Sequence, residues 1–113
     1  MENILKNKSF LFAVRIVNMS KYLRENNNEF VLTKQILRAG TSIGAMVRES
    51  EYAESKQDFI HKLNIALKEA IETEYWLELL FATDYIDENL VNSLKMDNKE
   101  LIKMLISSIK TTK

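Results

Sequence analysis

The stretch Arg38-Ala-Gly-Thr-Ser-Ile-Gly-Ala45 decides how this chain folds. It is a run of small residues inside what otherwise reads as one long helix. Gly40 and Gly44 are four apart and share a helix face, while Ala39, Thr41, Ser42 and Ala45 leave almost no bulk on the same two turns. An interior glycine costs a helix roughly 1 kcal/mol against alanine, so two of them need a compensating close approach by neighbouring backbone. Packing on more than one side supplies it, which points to a helix inside a bundle and to a role in contacts both within and between subunits.

Composition agrees. The 113 residues are 46% hydrophobic and include no proline, no cysteine and only the two glycines of that stretch. Sheet folds that need many tight turns are poorly served by such a chain, so an all-helical fold follows. The absence of cysteine removes disulfides, thiolate metal sites and cysteine nucleophiles together. The length suits one domain, residues 1–113, with one compact core. Residues 1–8 carry no apolar signal core, and no run of about eighteen apolar residues occurs, so a cytoplasmic protein with no membrane partner is expected.

The apolar periodicity divides the chain into helices over about residues 9–26, 30–52, 56–83 and 87–111. Ser9 and Asp87 are the expected N-caps of the first and fourth, and Asn26-Asn27-Asn28 breaks the first. Helices of about 24 residues are near 36 Å long, and short links force successive ones antiparallel. The expected architecture is an antiparallel up-down-up-down four-helix bundle.

Two helices have more apolar surface than one bundle needs. Phe12, Ile16, Met19 and Leu23 form one stripe on the first helix, and Phe10, Ala13, Val14 and Val17 form another. On the third, Phe59, Ile60, Leu63, Leu67, Ala70, Leu77 and Phe81 make the broad stripe, with Ile65, Trp76 and Leu79 nearly opposite. On the second, Leu37, Gly44 and Ala45 are displaced from the stripe of Leu32, Ile36, Ala39, Ile43 and Val47. Contiguous exposed apolar surface usually marks an interaction site. Homo-oligomerisation is therefore expected, through Phe10, Val14, Val17, Leu37, Gly44, Ile65, Trp76 and Leu79.

The formal net charge is zero but unevenly spread. Residues 1–48 hold eight Lys/Arg against three acids, residues 49–88 three against eleven, and residues 89–113 five against two. Such asymmetry marks either a polyanion-binding face or a surface whose charges pair in the fold. Lys95, Lys99, Lys103, Lys110 and Lys113 fall within about 40° of one direction on the fourth helix. They form either a rail for a nucleic-acid backbone or an ordinary solvated face.

Candidate chemistry is sparse. Glu74 falls in phase with Leu63, Leu67 and Phe81 and is expected to be buried, either as a general base with a raised pKa or, the favoured reading, as a carboxylate paired with an arginine such as Arg38 or Arg48 or reaching a hydroxyl; Asn98 is expected to be a second buried polar group. Asp58-x-x-His61 has the spacing of bundle metal sites. A dimetal centre needs that motif twice, and the chain has one histidine, so no metal is expected. No phosphate-binding glycine loop and no triad candidate is present. Neither a cofactor nor catalysis is expected.

Read together, several segments carry a likeness: Lys8-Ser9-Phe10, Phe12-Ala-Val-Arg-Ile-Val17, the 38–45 stretch, Arg48-Glu49, Asp58-Phe-Ile-His-Lys-Leu63, Ala66-Leu-Lys-Glu-Ala70 and Glu72-Thr-Glu-Tyr-Trp-Leu77. They resemble the bacterial four-helix bundle proteins encoded in 23S rRNA intervening sequences. The resemblance spans nearly the whole chain and is least specific in the fourth helix, through Glu100-Leu101-Ile102 and Ile109-Lys-Thr-Thr112. It implies a non-enzymatic pentameric bundle, a scaffold or an RNA- or ribosome-associated binding module. The family is similar to the accessory protein that works with the reverse transcriptase of diversity-generating retroelements, where a basic surface contacts nucleic acid and the polymerase. The chain departs from the family pattern at Met46, where asparagine is usual; a flexible thioether can replace a polar core contact by packing.

Overall fold

The computed structural model describes residues 4–113, so residues 1–3 of the expected domain lie outside the described residues. Four helices follow one another: α1 (Ile4–Asn27), α2 (Val31–Ser50), α3 (Lys56–Ala82) and α4 (Glu88–Thr112). They form an all-α antiparallel bundle of 44 × 21 × 20 Å. α1 neighbours α2 and α4, and α3 neighbours the same two, so α1 lies diagonally across from α3.

The helix ends show how local chemistry fixes these boundaries. α1 begins before Ser9, which is buried within the helix and donates its hydroxyl to the Lys6 carbonyl at 3.1 Å. Ser9 is therefore not the expected cap: its small side chain lets α2 approach, and the hydroxyl satisfies itself on the preceding turn. Asn28 ends α1 by entering the left-handed region at φ 52°. The chain then turns at Glu29, whose buried carboxylate accepts from the N–H groups of Val31 (3.2 Å), Leu32 (3.0 Å) and Thr33 (2.8 Å). These are donors that the first turn of α2 otherwise leaves unsatisfied.

Ser55 caps α3 by accepting from Asp58 N–H at 3.0 Å, while Asp58 accepts from Glu54 N–H at 3.1 Å. At the far end Asp84 takes φ 70°, Tyr85 N–H donates to the Leu80 carbonyl at 2.9 Å and Asp84 N–H to that of Phe81 at 3.0 Å, a Schellman turn built without glycine. Asp87 caps α4 as expected, accepting from Leu90 N–H at 2.8 Å.

The core follows the expected stripes on α1 and α2: Phe12, Ile16, Met19 and Leu23 meet Ile36, Ile43 and Val47. On α3 the buried line is Leu63, Ala66, Ala70, Thr73, Leu77 and Leu80. Phe81, expected inside, is exposed, and Leu67, Phe59 and Ile60 are half-buried at the flank. α3 must face both α2 and α4, so its buried line sits between the two seams and those larger side chains close the edges. Both glycines serve α1. A Cβ on Gly40 would lie 2.9 Å from a γ-carbon of buried Ile16, and one on Gly44 would lie 3.3 Å from the Ser9 carbonyl oxygen.

Candidate functional site

The uneven charge along the sequence is met in part by pairing between neighbouring helices. Arg15 of α1 reaches Asp97 of α4 at 2.6 Å and Lys8 reaches Glu100 at 3.2 Å. Arg38 of α2 bridges Glu69 at 3.4 Å and Glu72 at 2.7 Å on α3, and Lys62 of α3 returns to Glu49 at 3.0 Å. Lys6 meets Glu51 at 3.3 Å. Lys8, Arg15 and Arg38 of the first half thus meet acids of the second, while Lys62 runs the other way, and each exposed pair adds little stability.

The five lysines of α4 separate. Lys95 pairs with Glu78 at 2.9 Å, and that hydrogen bond raises its pKa above the ordinary value. Lys113 offers its carbonyl to Lys56 Nζ at 3.5 Å. Lys99, Lys103 and Lys110 are exposed and, among the described residues, form no ion pair. Lys103 and Lys110 flank Ile106 and Ser107 along a shallow groove.

The apolar surplus also divides. Phe10, Val14 and Val17 on α1 stand 53%, 40% and 36% exposed, one stripe along the outside of the bundle. Arg48 lies over the Phe10 ring, 5.9 Å from its centroid. Beside this stripe, Ala13 and Phe10 of α1 and Thr41, Gly44, Ala45 and Arg48 of α2 line an open groove of about 450 Å³. The small residues of the 38–45 stretch therefore do two things: Gly40 and Gly44 admit α1, and Thr41, Gly44 and Ala45 leave the groove floor shallow.

Leu37, Ile65, Trp76 and Leu79 sit differently from the expectation of a second exposed face: all four are half-buried. Leu37 and Trp76 pack against the core, and Trp76 donates Nε1–H to Glu72 at 3.0 Å. They close the seam between α2 and α3, because a bundle helix with two neighbours buries a wider arc than a single stripe. Besides Phe81, the large apolar residues that α3 exposes are Ile71 and Tyr75, one turn apart on its outer side, which periodicity alone had not singled out. Tyr75 stands edge-on to Trp76 with ring centroids 5.0 Å apart.

Glu74 is half-buried rather than enclosed, and Thr73 holds the adjacent core position. Arg38, its expected partner, is taken by Glu69 and Glu72, and Arg48 by Phe10. Asn98 is 1% exposed and donates Nδ2–H to the Ala70 carbonyl at 2.8 Å; its Oδ1 has no partner. Met46 is half-buried and packs on the core. Asp58 is occupied as part of the α3 cap and His61 is exposed; among the described residues no three metal-ligating side chains cluster. No helix is long and apolar enough to cross a membrane among the described residues.

The family model described as 23S rRNA-intervening sequence protein matches residues 1–107. Among solved structures, the chain is similar to a crystal structure of a protein with unknown function from the S23 ribosomal protein family of Bacteroides thetaiotaomicron. The two are 60% identical with a TM-score of 0.93, over 95% of this chain and 99% of that one. Among curated proteins, no match was found.

Proposed function

The chain belongs to the 23S rRNA-intervening sequence protein family, and from that membership we propose that it works as a non-enzymatic homo-oligomer, a scaffold or an RNA- or ribosome-associated binding module. Five copies is the number that the resemblance implies. The observation that carries self-association is the exposed stripe of Phe10, Val14 and Val17 beside a groove floored by small residues. Apolar surface of this continuity is unfavourable to leave in water. Light scattering at micromolar concentration tests it: a mass several times the 13.2 kDa of one chain is expected, and a monomer overturns the reading.

A second reading, an accessory nucleic-acid-binding partner of a reverse transcriptase, is favoured by Lys99, Lys103 and Lys110, which have no carboxylate partner among the described residues. Repeated around an oligomer, they would give a surface that neutralises phosphates without reading sequence. RNA retention that falls steeply with salt is then expected. Replacing the three lysines by glutamate and finding retention unchanged overturns it.

A further inference from the structure

We propose that the cavity between the second half of α1 and the turn from α3 to α4 is a binding site for a guanidinium group. The site is separate from the apolar stripe of α1 and does not depend on the number of copies.

The cavity, of about 620 Å³, is lined by Tyr22 and buried Met19 of α1, by Phe81 of α3, and by Asp84, Tyr85 and Asp87 of the connection to α4. Three aromatic rings and two carboxylates thus share one concavity. The faces of aromatic rings carry partial negative charge that attracts a cation, and the Met19 thioether adds polarisable surface. Guanidinium is the cation that uses both parts of such a lining: its plane stacks on a ring while its edge donates N–H groups to carboxylate oxygens. Two carboxylates are too few oxygen ligands for a divalent metal ion, and among the described residues no three metal-ligating side chains cluster.

Both carboxylates have room for a new partner. Asp84 enters no ion pair among the described residues, and Asp87 gives Oδ1 to Leu90 N–H at 2.8 Å while its second oxygen takes no part in that cap. The cations at this end of the bundle are held elsewhere. Arg24 donates to the Thr33 hydroxyl at 3.1 Å and lies over Phe30, 6.0 Å from the ring centroid, and Lys95 pairs with Glu78 at 2.9 Å. Lys21, next to Tyr22, is exposed and does not line the cavity.

Asp84 carries the inference furthest. It follows the C-terminus of α3, the negative end of a helix, where cations are favoured and a carboxylate is not. Among the four described helices only α3 lacks a Lys or Arg in its last turn, where α1 has Arg24, α2 Arg48 and α4 Lys110. Asp84 also holds φ 70°, a conformation that glycine adopts at lower cost. Asp87 and Glu88, by contrast, match the positive N-terminus of α4. An acid set against helix carbonyls in a costly backbone conformation is a local conflict of the kind that functional sites retain, and a bound cation relieves its electrostatic part.

Isothermal titration calorimetry of the full chain with butylguanidinium, and with its neutral isostere butylurea, tests the site. Saturable binding of the guanidinium in the millimolar range or below, and none of the urea, is expected; equal binding of the two, or none of either, overturns the proposal. Asp84→Asn and Asp87→Asn remove the charges while keeping the turn, because asparagine accepts the left-handed conformation and caps a helix as well as aspartate does. Retained helical circular dichroism shows that the variants fold. Together they are expected to weaken binding about tenfold or more. Tyr22→Ser, at a position 61% exposed, leaves the turn untouched and is expected to weaken binding several-fold. Unchanged affinity in the double aspartate variant, or in Tyr22→Ser, overturns the assignment. An end-blocked tripeptide with a central arginine separates the two sources of the group: tighter binding than butylguanidinium assigns the site to an arginine side chain of a polypeptide, and weaker binding to a free guanidinium compound.

Discussion

Gly40 lies against Ile16 so closely that an added Cβ would come within 2.9 Å of a γ-carbon of that fully buried side chain. Ile16 has no slack, since it is enclosed on all sides in a close-packed interior. Gly40→Ala is therefore expected to destabilise the subunit by about 1–3 kcal/mol despite alanine's better helix propensity. Gly44 faces the Ser9 backbone at 3.3 Å and also opens onto the surface groove. There the propensity gain of about 1 kcal/mol and the crowding nearly offset each other, so Gly44→Ala is expected within about 1 kcal/mol of wild type. Urea unfolding of both variants measures the difference, and equal effects would contradict the distinct contacts.

Glu29 ties part of the stability of the fold to pH. Burial pushes its carboxyl up, but hydrogen bonds from the backbone N–H groups of Leu32, Thr33 and Val31 outweigh that, and the net shift is below the ordinary 4.5. A carboxyl depressed in the folded state contributes stability that is complete above its unfolded pKa and is lost as pH falls through the folded one. Glu29→Ala is expected to cost about 1–2 kcal/mol at pH 7, the usual worth of a cap reinforced by the helix dipole. The gap from wild type should narrow steadily below about pH 4.5 in chemical unfolding, where the protonated carboxyl no longer favours the cap.

What the sequence made legible is what a 3.6-residue period encodes: four helices, the stripe from Phe12 to Leu23, and the Asp87 cap. The rest depended on neighbours that no single helix reveals. Ser9 has the residue type of a cap but sits in mid-helix, because its small size admits Gly44 rather than because its hydroxyl ends anything. Glu29 gave no signal, since glutamate becomes a cap only after Asn28 turns left-handed and aims the carboxylate back at α2. Trp76 looked outward when α3 was phased against one partner; with both α2 and α4 beside it, that direction is a seam. The surplus charge was visible, but the pairings of Arg15 with Asp97 and Arg38 with Glu72 join residues far apart in the chain.

Trp76 consequently belongs to the stability of the subunit. Its Nε1–H and the Arg38 guanidinium converge on the same carboxylate oxygen of Glu72, at 3.0 and 2.7 Å. Trp76→Phe keeps most of the ring but drops that bond, and about 1 kcal/mol of stability is expected to go with it. The mass in solution should not change. A dissociated oligomer in light scattering would return Trp76 to the interface.

Asn98 joins α4 to α3 through its bond to the Ala70 carbonyl while leaving Oδ1 buried and unpartnered. The two halves of the amide thus act in opposite directions, one stabilising and one costing about 1–3 kcal/mol of desolvation. Asn98→Leu removes both and adds apolar burial, so it is expected to match or exceed wild-type stability. Asn98→Asp sets a carboxylate against the Ala70 carbonyl with no donor nearby and is expected to cost about 3 kcal/mol or more at pH 7. Burial raises the pKa of such a carboxyl, and once protonated it can donate to the Ala70 oxygen as the amide does. The deficit of Asn98→Asp against wild type, measured at each pH by urea unfolding, should therefore shrink as pH falls from 7 toward 4; a deficit that stays constant would mean that the site already holds a donor for Oδ1.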